Sequence, residues 1–126
     1  MSGLKVLIVD DQPAVLAALE VLFDVHGFET LAARTPEQAL ALIRSEDLGV
    51  VLQDMNFHRD ATSGEEGEML LHAIRKLDPE LPVVLMTAFQ SLEAAVRLVR
   101  AGASDYIAKP VNSDQLLSLM RVWLFR

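Results

Sequence analysis

Apolar positions along this chain fall into two alternating kinds of segment. Short continuous runs rich in Val, Leu and Ile cover residues 5–9, 50–52 and 82–86, with weaker runs of the same kind at 29–33 and 105–108. Runs that short and that apolar predict strands buried on both faces of a parallel sheet. Between them lie amphipathic stretches with helical punctuation. Pro13, two residues after Asp11, fits the first turn of a helix behind an acidic cap, and that helix runs through Leu16, Leu19, Leu22 and Phe23 to Gly27 as C′ residue. Thr35-Pro36-Glu37-Gln38 and Ser63-Gly64-Glu65-Glu66 match the capping box. A fourth helix starts at Ser91 and stops at Gly102, and a fifth starts at Asn112 or Ser113 and runs to the chain end. The sum is β-α repeated five times, an α/β class with right-handed crossovers and helices on both sheet faces. Strand order is left open by these local signals.

Composition narrows the picture further. At 126 residues the chain has room for one domain, residues 1–126, and its 52% apolar content supports a core. A net charge of −7 argues against direct nucleic-acid binding. No run approaches a membrane span, and Asp10-Asp11 cuts short the only candidate leader segment. With no cysteine, disulfides, thiolate metal sites and thiol nucleophiles are excluded. The expectation is an acidic, soluble, cytoplasmic domain without membrane contact.

In an open parallel sheet, ligands bind beyond the carboxyl ends of the strands. Just past those ends the chain carries Asp10 and Asp11, then Asp54, then Thr87 with Ala88, then Lys109-Pro110. Taken singly, each has a plain reading: Asp10 and Asp11 as helix caps, Asp54 as an Asx-turn residue, Thr87 as a polar strand end, Lys109 as a solvated charge. Together they place three carboxylates, a hydroxyl and an ammonium on one edge. Clustered carboxylates repel unless a cation neutralises them, and Mg²⁺ with oxygen ligands is the natural one. Lysine and hydroxyl would complete a phosphate pocket, so the set points to phosphoryl transfer onto a carboxylate.

Val9-Asp10-Asp11, Asp54, Thr87-Ala88 and Lys109-Pro110 on successive strand ends resemble the receiver domain of two-component response regulators, over nearly the whole chain. The resemblance implies the flavodoxin-like (βα)5 fold with strand order 2-1-3-4-5. It implies that Asp54 is the phosphoacceptor, taking its phosphoryl group from a histidine kinase. Asp10, Asp11, Asp54 and the backbone carbonyl of Asn56 would hold Mg²⁺. Thr87, with Ala88 beside it, and Lys109 would bind the phosphoryl oxygens, and Tyr106 would be the aromatic switch, against the plainer reading of a Tyr packed on a helix. The peptide before Pro110 is cis in the family, and Asn56 and Phe89 occupy positions that tune dephosphorylation. The stretches Thr87-Ala88-Phe89-Gln90 and 101–110 are similar to receivers of the nitrogen-regulation type, sigma-54-dependent activators whose receiver precedes an ATPase and a DNA-binding domain. Homodimerisation on activation and control of transcription follow as expectations.

The chain departs from the pattern twice. Receivers commonly follow the acceptor with Met-Pro and a glycine eight positions on, whereas Met55 here precedes Asn56, Phe57 and His58, and the best-fitting glycine, Gly67, is thirteen positions on. The loop is therefore five residues longer (two if Gly64 is the counterpart), and residues 58–63 read either as a tolerated surface insertion or as a kinase-specificity element. His26 and His72 on predicted helices are read as non-functional. At the other end, Leu116, Leu119, Met120, Trp123 and Leu124 carry an apolar stripe up to Phe125-Arg126. That predicts an exposed apolar end and a fragment of a longer regulator, or else a helix packed wholly on its own sheet. A stand-alone receiver, a phosphorelay intermediate and an unphosphorylated pseudo-receiver are alternatives. A Mg²⁺-dependent aspartyl-phosphate phosphatase of the haloacid dehalogenase class is another, although Asp54-Met55-Asn56 lacks that class's second Asp and lies on the third strand. A nucleotide-binding protein is disfavoured because no Gly-rich phosphate loop follows a strand.

Overall fold

Successive residues of a strand face opposite sides, so apolar runs between two layers of amphipathic helix give two cores. The computed structural model describes residues 5–55, 65–88 and 91–125 and bears this out. The elements are β1 (Lys5–Val9), α1 (Pro13–Val25), β2 (Thr30–Ala33), α2 (Pro36–Ser45), β3 (Leu48–Asp54), α3 (Glu65–Leu77), β4 (Val83–Thr87), α4 (Leu92–Arg100), β5 (Asp105–Ala108) and α5 (Ser113–Leu124). All ladders are parallel, in the order β2-β1-β3-β4-β5. Leu7, Val9, Val51 and Leu85 pack with Ala39 of α2, Leu71 and Ile74 of α3 and Leu98 of α4. On the other face Val6, Ile8, Leu52 and Val84 pack with Phe23 of α1 and Leu116 and Met120 of α5. Burial on both faces holds for the three central strands, while β2 and β5, at the edges, are half-buried.

Several boundaries differ from the sequence expectation for physical reasons. β3 runs two residues longer than its apolar run at each end: Leu48 and Gly49 precede it, and Gln53 and Asp54 are held in the ladder opposite Leu85 and Met86 despite their polarity. The N-cap of α1 is Gln12, whose side chain makes no cap bond. Neither Asp10 nor Asp11 is the cap residue, although Asp10 Oδ1 accepts the Gln12 N–H at 2.9 Å. Thr35 Oγ1 caps α2 by accepting the Gln38 N–H, but Gln38 Oε1 reaches back to Arg34 N rather than to Thr35. Ser91 and Asn112 cap α4 and α5 as expected. The Ser63 capping box lies outside the described residues. The apolar end of α5 is narrower than expected: Trp123 and Leu124 are half-buried on their own core, Trp123 Nε1 donates to Asp105 Oδ2, and Val122 and Phe125 are exposed.

Both ends of α3 are fastened by a polar side chain. At its carboxyl end, Arg75 donates from Nε to Gly102 O at 2.7 Å and from Nη1 to Leu81 O at 2.6 Å, tying the helix to the α4–β5 turn and the α3–β4 loop. Gly102 has φ +116°, and a Cβ there would lie 2.8 Å from Arg75 Cγ, so the turn fits against the guanidinium stem only as glycine. At its amino end, the fully buried Gln53 donates from Nε2 to Gly67 O at 2.7 Å. Its Oε1 has no hydrogen-bond partner among the described residues, a cost of about 1–3 kcal/mol.

Arg75→Met keeps the aliphatic stem and leaves the Leu81 and Gly102 carbonyls without their charged donor. It is expected to destabilise the domain by about 2–3 kcal/mol. The check is urea unfolding, with a lower midpoint and an unchanged slope.

Candidate functional site

Parallel strands deliver their carboxyl ends to one edge, and four of them bring the expected residues there. Asp10 and Asp11 follow β1, Asp54 ends β3, Thr87 ends β4 and Lys109 follows β5. Asp54 and Thr87 thus belong to their strands as the last residues, rather than lying just past them as the sequence predicts. Asp10, Asp54 and Thr87 are buried, and Asp11 is half-buried. One oxygen from each of Asp10, Asp11 and Asp54 lies within 4.8 Å of the others. Lys109 Nζ donates to Asp54 Oδ1 at 2.5 Å. The backbone draws the far side together: Lys109 N–H donates to Thr87 O, and Met55 N–H donates to Met86 O, both at 2.9 Å. The Lys109–Pro110 peptide is cis.

Electrostatics follow from that crowding. Burial pushes the Asp10 carboxyl up to about 6, and the nearby Asp54 and Asp11 carboxylates push the same way. The Gln12 N–H and the Lys109 ammonium oppose the rise. Three hard oxygen donors around one point suit a divalent cation of the Mg²⁺ or Ca²⁺ type. A buried carboxylate pinned by one ammonium, with a hydroxyl on the neighbouring strand end, is a setting in which a phosphoryl group could be received and its charge compensated.

Of the remaining expected residues, Ala88 is exposed and Tyr106 is half-buried against the core on the α2–α4 side of the sheet. Asn56, Phe89 and residues 58–63 lie outside the described residues. His26 and His72 are exposed, and His26 Nδ1 sits 2.9 Å from the Leu22 carbonyl oxygen. Sequence reasoning missed Gln53 and Arg75. The available signal for Gln53 was an amide directly following three apolar residues and preceding the candidate acceptor. Arg75 carried none, because one arginine in the last turn of a helix looks like any other.

The sequence profile described as the response regulator receiver domain matches residues 6–121. The response regulator protein FleR of Pseudomonas aeruginosa is 38% identical over 116 residues, 92% of this chain and 24% of that protein. The regulatory protein AtoC of Escherichia coli is 37% identical over 112 residues, 89% of this chain and 23% of that protein. The chain thus spans about a quarter of the length of the curated relatives it matches. Among solved structures, the receiver domain of NtrX from Brucella abortus superposes with a TM-score of 0.84 at 31% identity, covering 96% of this chain and 98% of that one. NtrX of the same organism in complex with ATP has a TM-score of 0.82 at 31% identity, covering 98% of this chain and 27% of that one. The nitrogen-regulation-type subgroup expected from residues 87–90 and 101–110 agrees with these relatives. With a profile spanning nearly the whole chain and relatives above 30% identity, the chain belongs to the response regulator receiver domain family.

Proposed function

We propose that this receiver takes a phosphoryl group from the phosphohistidine of a histidine kinase onto Asp54. The observation that carries the reading is the buried Asp54 carboxylate, held by Lys109 and clustered with Asp10 and Asp11. A carboxylate oxygen of Asp54 attacks phosphorus, the phosphorus–nitrogen bond breaks, and the electron pair leaves with the imidazole nitrogen, which takes a proton. Lys109 holds Asp54 in place and then pairs with the phosphoryl oxygens, and the Thr87 hydroxyl donates to another. Asp10, Asp11 and Asp54 would hold Mg²⁺, with the Asn56 carbonyl as the family's fourth protein ligand. When bound, that ion offsets carboxylate repulsion and the charge of the transferring group.

Phosphorylation replaces the single charge of the Asp54 carboxylate with roughly −1.5 to −2 on a phosphoryl group beside Thr87, and Tyr106, on the adjacent strand, would respond. Residues 1–126 act in this reading as the receiver of a longer regulator. Its proposed output is an ATPase with a DNA-binding domain that activates transcription, supported by the longer relatives and by the ATP complex of NtrX.

Incubated with acetyl phosphate and Mg²⁺, the wild type is expected to gain one phosphoryl mass and Asp54→Asn none. Equal gains in intact mass spectra would remove the phosphoacceptor.

A pH prediction follows from Asp10. Its folded pKa of about 6 lies above its ordinary 3.8, so the folded state binds the extra proton between these values. This group's contribution to stability therefore falls as pH rises from about 4 to about 6. A divalent cation needs the ionised carboxylate, so the rise in thermal midpoint on adding Mg²⁺ should grow over the same interval. Asp10→Asn should flatten the pH dependence and shrink the Mg²⁺ effect, read by calorimetry with and without Mg²⁺.

We further infer self-association on activation through the α4–β5–α5 face, supported by the exposed Leu92, Val96 and Val99 of α4 and Val122 of α5. Sedimentation should show a larger species with beryllofluoride and Mg²⁺ than without. Identical distributions over a wide concentration range would count against it.

A further inference from the structure

We propose that Gln53 is a positioning residue for the phosphoacceptor: its bond to the Gly67 carbonyl ties the first turns of α3 to the end of β3 and so sets where the Asp54 carboxylate stands. The inference rests on the reading of Asp54 as the acceptor. Both chain neighbours of Asp54 are held by the same residue of α3. On one side, Gln53 Nε2 donates to Gly67 O at 2.7 Å. On the other, Gly67 is pressed so closely on Met55 that an added Cβ would lie 2.6 Å from Met55 O and 2.9 Å from Met55 Cα.

The surroundings of Gln53 explain why this contact is stiff. Its ladder neighbours are Val9 and Leu85, and Val51 and Met55 share its face of the strand; all four are buried. No solvent competes for the amide, and its Nε2 lies 3.7 Å from Met55 Sδ besides the Gly67 bond. A side chain of equal length without polar atoms would fill the same space and strand no acceptor, whereas Gln53 Oε1 is buried with no hydrogen-bond partner among the described residues. The amide is therefore a poor choice for core packing alone. What it supplies is a directional hold between helix and strand at the residue before the acceptor. Asp54 and Gln53 point to opposite faces of β3, so the hold reaches the carboxylate through the backbone and leaves the Lys109 contact in place.

The test uses the intact chain with acetyl phosphate at saturating Mg²⁺, comparing wild type, Gln53→Met, Gly67→Ala and the double variant. Gln53→Met should unfold at an equal or higher urea concentration, yet its labelling rate at saturating donor should fall about tenfold, the scale expected for a sub-ångström misplacement. The half-saturating donor concentration should stay close to that of wild type, because Thr87 and Lys109 are untouched. Gly67→Ala, which forces the same contact apart, should also slow labelling. The double variant should lose less than the product of the single losses, since both open one contact. A wild-type rate in folded Gln53→Met overturns the inference, as does a loss that only follows the unfolded fraction. If Gln53→Met does not fold, a wild-type rate in Gly67→Ala overturns it instead. Failure of the wild type to label, or labelling of Asp54→Asn, removes the phosphoacceptor reading and this inference with it.

Discussion

Three carboxylates share one end of the sheet with one oxygen apiece inside 4.8 Å, and two of them are almost wholly shielded from solvent. At that spacing each charged pair repels by about 3–4 kcal/mol for an effective dielectric near 20. Much else in the domain offsets that repulsion. Asp54 is neutralised by the Lys109 ammonium, Asp10 by the Gln12 N–H and by its raised affinity for a proton. A core sequence selected for stability alone would not gather these groups. Their presence at a shared edge makes a cluster that could hold a divalent cation.

The frame that holds the cluster is unevenly stiff. β4 is buried throughout and β3 from Val50 onward; α3 is fastened to the end of β3 through Gln53, and to the α3–β4 loop and the α4–β5 turn through Arg75. α4 differs. It follows closely after Thr87, buries Ala95 and Leu98, and leaves Leu92, Val96 and Val99 in solvent. Its Arg97 reaches Glu68 of α3 across 3.5 Å at a position more than half exposed, where ion pairs contribute little. An element with few buried contacts beside the edge that holds Asp54 and Thr87 is the one whose position a change at that edge can bias most readily. Tyr106 lies on the strand paired to β4 and faces the same helical layer, which fits it to follow such a shift.

The fold was legible because the period of the apolar runs changes cleanly from strand to helix, and because Pro13, Thr35, Ser91 and Asn112 mark helix starts locally. Strand order was not legible in that way. It depends on which strands pair across the sheet and came only from the resemblance carried by Asp10, Asp11, Asp54, Thr87 and Lys109. Those five were legible as a set since each lies within two residues of the end of an apolar run. The carboxyl end of β3 was missed because Gln53 and Asp54 break the apolar run, while the ladder, on both sides of Gln53 and on the β4 side of Asp54, overrides their weak strand preference. Gln53 and Arg75 resisted for a related reason: each acts on backbone carbonyls distant in sequence, and a carbonyl leaves no residue signature.

The contact of Gly67 with Met55 also gives a longer β3–α3 connection a way to be carried without moving Asp54. Met55 and Gly67 lie against each other, so the two ends of the connection sit side by side. Lengthening a connection whose ends are already pinned changes its closure entropy only logarithmically, at about 0.6 kcal/mol for each doubling. Five added residues on a connection of this length amount to less than one doubling. The close fit at that point is made by Gly67, where only a hydrogen fits against Met55, and by the amide of Gln53. Changes in the number of residues between these two ends therefore put little demand on the end of β3, which the ladder with β4 and the contacts of Gly67 already hold.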